Sequence, residues 1–150
     1  MARERLSVLV PVWNERPTIE KLLNAVVAVD AGVDLEVLVA DDGSTDGTRE
    51  ILSSLDLPGV RIIFMDENVG RGGVIKPLWT LATGDIIVHQ AADLEYDPQD
   101  YKQLVAPILS GTADVVYGSR FKGSIERMRW LNRMGNLVMT GASRALYGVE

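Results

Sequence analysis

The sequence predicts an α/β domain built on a mostly parallel, doubly wound sheet flanked by helices. Short apolar runs rich in Val, Ile and Leu, at residues 6–12, 35–40, 60–65 and 85–90, are too brief for helices and too uniformly apolar for strands with one wet face. Between them lie stretches whose apolar residues recur every three or four positions, the spacing of a helix with one buried side. Strand alternating with helix is the order that right-handed parallel crossovers produce. With 150 residues, 47% hydrophobic and 24% charged, the chain is long enough to bury a core as one domain spanning 1–150.

Residues 6–12 form the first strand, which leaves the sheet through Pro11-Val12-Trp13-Asn14-Glu15. Pro17-Thr18 then opens a helix reaching to residue 30, with Ile19, Leu22, Leu23, Val26 and Val27 on one side. The second strand, 35–40, ends in Asp41-Asp42-Gly43-Ser44-Thr45-Asp46-Gly47-Thr48, a run dense in turn formers. Asp46 or Thr45 caps the helix predicted at 49–55. Pro58-Gly59 breaks the chain before the strand at 60–65. Asn68-Val69-Gly70-Arg71-Gly72-Gly73 leads into a helix ending near Thr83-Gly84, and Pro77 either kinks it or marks its first turn. A buried strand follows at 85–90, then a helix from Asp97-Pro98 to 109 and a strand at 113–117. A helical pattern over 125–146 is interrupted by Gly135 and Gly141.

The formal charge of −6 gives no overall positive footprint and argues against nucleic acid as a partner. Absence of cysteine excludes disulfides, thiol nucleophiles and cysteine-ligated metals, and is compatible with a cytoplasmic setting. No apolar run approaches the roughly 18 residues of a membrane helix, and the start of the chain does not read as a signal peptide. The stretch from Arg120 onward is richer in arginine, with Met128, Trp130, Leu131 and Met134 interleaved. It reads as a solvated basic helix face, or as a surface for peripheral association with the cytoplasmic face of a membrane.

The chemistry is expected where the fourth strand gives way to Ala91-Ala92-Asp93-Leu94-Glu95-Tyr96-Asp97-Pro98. Ligands collect outside the carboxyl ends of strands in open α/β sheets. If the chain stays extended there, Asp93 and Glu95 point the same way and can share a hard cation; otherwise they form a polar turn before the next helix. His89, inside a run read as buried, is expected to be a packed histidine. A dinucleotide-binding fingerprint is excluded because Pro-Val-Trp-Asn-Glu, not glycines, follows the first strand. No Gly-Lys-Ser/Thr phosphate loop occurs either.

The blocks Ser7 to Glu15, Val39 to Thr48, Asn68 to Gly73, Ala82-Thr83-Gly84-Asp85, Ala92-Asp93-Leu94-Glu95-Tyr96-Asp97-Pro98 and Gly118-Ser119-Arg120-Phe121 stand in the order found in family-2 glycosyltransferases. The set most resembles the dolichol- or polyprenyl-phosphate mannosyltransferase or glucosyltransferase branch. The resemblance implies a Rossmann-like, glycosyltransferase-A sheet and an inverting transfer of a hexose from a GDP- or UDP-sugar to a polyprenyl phosphate. It implies nucleotide contacts from Pro11, Trp13, Asn14, Glu15, Asp41 and Asp42, with Trp13 stacking on the base and Asp42 accepting its ring N–H. It implies Mg2+ or Mn2+ at Asp93 and Glu95. Arg120 and Arg133 would grip the acceptor phosphate, and Asp93 and Arg120 become the candidate catalytic residues. One departure stands out: Ala91 occupies the first position of the family's Asp-X-Asp motif. Relatives continue into acceptor-side sequence, so the acceptor half is expected to be incomplete at residue 150.

Overall fold

The structure, a computed structural model, describes residues 4–118. Described residues up to Val116 belong to one compact unit. In chain order the elements are β1 (Arg5–Val12), α1 (Ile19–Ala28), β2 (Asp34–Asp41), α2 (Thr48–Ser54), β3 (Val60–Phe64), α3 (Gly70–Leu81), β4 (Ile86–His89), a 3-10 turn (Pro98–Asp100) and α4 (Tyr101–Leu109). The four strands pair in the order β3-β2-β1-β4, all parallel. Val12 lies opposite Asp41, so the carboxyl ends of β1 and β2 are level, whereas β4 ends earlier, with His89 opposite Leu9.

Alternation along β1 sends Leu6, Val8 and Val10 to one face and Leu9 to the other. On the first face they meet Val37 and Val39 of β2, Leu22, Leu23 and Val26 of α1, and Val105 of α4. On the second, Leu9, Leu38 and Ala40 pack under Val74 and Leu78 of α3. Each such side chain, fully removed from water, contributes about 1.5–3 kcal/mol. Both faces of β1 are therefore dry, which is why its sequence shows no polar alternation.

Several expectations are corrected. The run at 85–90 is not a fully buried strand: β4 is shorter, and only Ile86 in it is buried. Residues 113–117 form no strand among the described residues. Gly111, at φ +70°, turns the chain after α4, and Val115 and Tyr117 stand 65% and 91% exposed with no ladder to hold them. Pro77 lies well inside α3, not in its first turn. The helix expected from Pro98 begins as a 3-10 turn, with Asp97 accepting the amide of Gln99 at 3.0 Å. The helical pattern at 125–146 lies outside the described residues. No helix among the described residues is long and apolar enough to cross a membrane.

At the amino ends of the strands a polar latch ties α3 and β4 to the sheet. Ser7 Oγ donates to Glu36 Oε2 at 2.6 Å and accepts the Gly84 amide at 2.9 Å. Thr83 reaches Glu36 twice, through its amide at 2.9 Å and its hydroxyl at 3.0 Å. Gly84 is required because a Cβ there would stand 2.7 Å from Ser7 Oγ and 2.8 Å from the Arg5 carbonyl. Burial pushes the Glu36 carboxyl up, but hydrogen bonds from Ser7 and Thr83 and the charge of Arg61 outweigh it, so the net direction is down. A carboxyl depressed on folding stabilises above its ordinary value, and that contribution fades as pH falls through the folded value. Glu36→Ala should therefore cost about 1 kcal/mol near neutrality, since the bonds to Thr83 are open to solvent. It should cost much less well below pH 4.5, the ordinary value for glutamate. Urea melts of both proteins at the two pH values check this.

Candidate functional site

The loops leaving β1 and β2 are stitched together side by side. Asn14 donates its backbone N–H to Ser44 Oγ at 2.9 Å, and its side-chain Oδ1 accepts the Thr45 amide at 2.9 Å. The Glu15 amide donates to Thr48 Oγ1 at 2.9 Å, and the Arg16 amide to Asp46 Oδ2 at 3.1 Å. Asn14 sits at φ +54°, a left-handed conformation that asparagine tolerates better than most residues. Asp46 also accepts the amide and hydroxyl of Thr48, at 3.0 and 2.6 Å. It stands one residue before Gly47, the cap position of α2. Burial raises the Asp46 carboxyl, but the hydrogen bonds from Thr48 and Arg16 together outweigh it and lower it, so it remains an ionised acceptor.

Above this seam Trp13 is 55% exposed, which rules out a core aromatic and leaves a ring face available for stacking. Pro11 and Glu15 are half-buried beside it. The two acids closing β2 diverge. Asp41 is fully buried and forms an ion pair through Oδ2 with Arg49 Nε at 3.1 Å. Its Oδ1 has no hydrogen-bond partner among the described residues. Arg49 also donates to the Met65 carbonyl and lies over the Phe64 ring, 5.1 Å from its centroid. Asp42 points instead toward the loop before α3, where its Oδ1 accepts the Val69 amide at 2.8 Å. The residue as a whole is buried, at 3% exposure. Gly43 makes this approach possible: a Cβ there would stand 2.8 Å from the Asn68 amide nitrogen.

The loop after β4 is not extended. Leu94 adopts φ +61° and packs against the main core, while exposed Asp93 and Glu95 flank it. Asp93 Oδ1 accepts the Glu95 amide at 3.0 Å, so the two acids share one tight turn. They offer hard oxygen donors of the kind Mg2+ or Mn2+ takes when substrate phosphates complete its shell. Among the described residues no three His, Cys, Asp or Glu side chains come together as a metal site. With alanine at 91, the donor set fits a cation shared with a diphosphate and not one enclosed by protein alone.

Beneath the loop lies a residue that sequence reasoning passed over. Gln90 is 1% exposed; its amide nitrogen donates to the carbonyls of Ala91 at 3.0 Å and Tyr96 at 3.1 Å. Its Oε1 accepts the hydroxyl of Tyr101 at 2.7 Å, and burial pushes that phenol well above its ordinary value, keeping it a donor. The only signal was a polar residue closing an apolar run.

His89 is not a packed core histidine. It is exposed at the end of β4 and tilts against Trp79, with ring centroids 5.7 Å apart. Desolvation of the ring edge held against that neighbour, together with the charge of Arg71, lowers its pKa. Arg120 and Arg133 lie outside the described residues.

A parallel sheet whose first two exit loops form one rim, with an exposed tryptophan and carboxylates at the carboxyl ends of its strands, has the architecture of the glycosyltransferase-A class. The chain belongs to glycosyl transferase family 2, whose profile matches residues 7–146. It is 35% identical over 125 residues to Glycosyltransferase AglD of Haloferax volcanii, covering 77% of this chain and 20% of that protein. It is 30% identical over 118 residues to the dolichol-phosphate mannosyltransferase of Pyrococcus furiosus, covering 78% of this chain and 33% of that one. The solved structure of mannosyltransferase PcManGT from Pyrobaculum calidifontis, in complex with GDP-Man and Mn2+, is similar with a TM-score of 0.54 at 33% identity. That match covers 67% of this chain and 30% of PcManGT. The chain thus spans only 20% to 33% of the length of the two curated relatives.

The seam makes a quantitative expectation at Asn14. Asn14→Gly keeps the left-handed backbone but loses the acceptor for Thr45, and should cost about 1 kcal/mol. Asn14→Ala loses both and should cost about 2 kcal/mol. Chemical denaturation of the two variants side by side measures the difference.

Proposed function

We propose that this chain is the donor-binding part of an inverting glycosyltransferase that moves a hexose, mannose or glucose, from a nucleotide-sugar to a polyprenyl or dolichyl phosphate. The observation that carries the reading is the pairing of the exposed Trp13 ring with the fixed Asp42 carboxylate at the carboxyl edge of the sheet. Trp13 and Pro11 face the base, Asp42 accepts its ring N–H, and Asn14 and Glu15 lie beside the ribose. Asp41 acts from behind, holding Arg49 and the start of the Ser44 turn. The relatives' names support the acceptor class, and GDP-Man in the PcManGT complex supports a nucleotide-sugar donor.

The reaction is a displacement at the anomeric carbon. An acceptor phosphate oxygen forms the new C–O bond as the bond to the donor diphosphate breaks, and the nucleoside diphosphate leaves with both electrons. A phosphate acceptor is already anionic near neutral pH, so no general base is needed. Arg120 and Arg133 orient that phosphate by bidentate contact. Asp93 and Glu95 would hold a divalent cation against the diphosphate, where its chemistry when bound is to offset the charge growing on the leaving group.

A second reading follows from Ala91: a nucleotide-sugar-binding domain that does not turn over. Calorimetry with GDP and with UDP, with and without Mn2+, tests the donor site, and binding of neither nucleotide under either condition sinks it. Asp42→Ala should weaken the nucleotide that binds by at least about tenfold. Ala91→Asp should tighten binding in Mn2+ by about tenfold and leave binding without metal no tighter. A gain in donor hydrolysis or transfer in that variant favours an enzyme held back at position 91; tighter binding without turnover favours the binding module.

A further inference from the structure

We propose that Gln90 is a positioning residue for the donor diphosphate, a role that rests on the nucleotide-sugar reading above. Its side chain spends every hydrogen-bonding group of its amide on geometry. The two N–H groups tie the carbonyls at either end of the 91–96 loop, Ala91 and Tyr96, and the oxygen is anchored on the hydroxyl of Tyr101 at the start of α4. The backbone of Gln90 is fixed as well, its amide donating to the Leu9 carbonyl at 2.9 Å as the sheet ladder ends. One buried amide thus joins the strand before the loop, the helix after it and both loop ends.

The loop needs such a brace. Ala92 is buried in the core and Leu94 packs against it, and Leu94 does so from a left-handed backbone that a leucine rarely adopts. The exposed turn carrying Asp93 and Glu95 is therefore held in a conformation its own residues do not favour. A bidentate amide across the loop mouth supplies the missing constraint, and burial makes each of its bonds harder to exchange for water. Gln90 touches neither donor nor cation in this arrangement; it acts through the turn that does.

The experiment separates the phosphate end of the site from the base end. Affinities of GDP and GMP, and of UDP and UMP, are measured for the full 150-residue chain in Mn2+ by calorimetry, and the ratio of diphosphate to monophosphate affinity is compared between proteins. Gln90→Leu should reduce that ratio by about tenfold and leave monophosphate binding, held by Trp13 and Asp42, unchanged. Tyr101→Phe keeps both Gln90 donations and removes only their anchor, so the ratio should fall by about threefold. This milder variant carries the test should Gln90→Leu not fold. A ratio unchanged in the folded variants, or diphosphate and monophosphate weakened equally, overturns the proposal and leaves Gln90 a packing residue. If the unsubstituted chain binds no nucleotide, the donor reading itself fails and the role of Gln90 falls with it.

Discussion

Because β1 and β2 run parallel in register, with Val12 opposite Asp41, their exit loops leave the sheet at the same level and must satisfy each other's backbone. No strand or helix continues there to take up the amides of Asn14, Glu15 and Arg16. Ser44, Thr48 and Asp46 accept them instead, and Asn14 returns the favour to Thr45. Four hydrogen bonds between the two loops fix both at once. Trp13 stands open to solvent because its neighbours on both sides are held; the position of Asp42 follows from the same constraint, one residue beyond the end of β2.

The two consecutive acids show how a sheet divides labour between adjacent residues. Side chains at neighbouring positions on a strand point to opposite faces, so Asp41 faces the core side and Asp42 the loop before α3. Asp41 meets Arg49, whose own guanidinium is shared with the Met65 carbonyl and the Phe64 ring. A buried carboxylate is tolerable only with such a partner. Asp42 is instead steadied by a neutral amide, which leaves its negative charge uncompensated by any ion pair among the described residues.

Much of this was legible in the residues. Uniform apolar runs and the helical spacing between them gave the parallel sheet, and the run of turn formers after the second strand marked where that strand ends and the next helix begins. What stayed hidden were features decided by tertiary context. Leu94 looks like any leucine between two acids, yet core burial of its side chain twists the backbone and converts an extended pair of carboxylates into a turn. His89 follows three apolar residues, but it lies exposed at the end of the strand, its ring tilted against Trp79. The β-branched and aromatic run at 113–117 reads as a strand because propensity counts side chains and not partners. Gln90 was invisible because a single polar residue carries no periodicity.

The latch of Ser7, Glu36, Thr83 and Gly84 lies at the amino ends of the strands, the far end of the sheet from Trp13 and Asp42. Its contribution to holding α3 and β4 is therefore spatially separate from the rim that carries Trp13 and Asp42. Adaptation to a hotter or more acidic habitat could proceed by exchanging residues at the latch while the rim stays as it is. Substitution at the rim could in turn be carried without unfolding the domain. Longevity and ligand choice would then evolve on separate clocks within one small sheet.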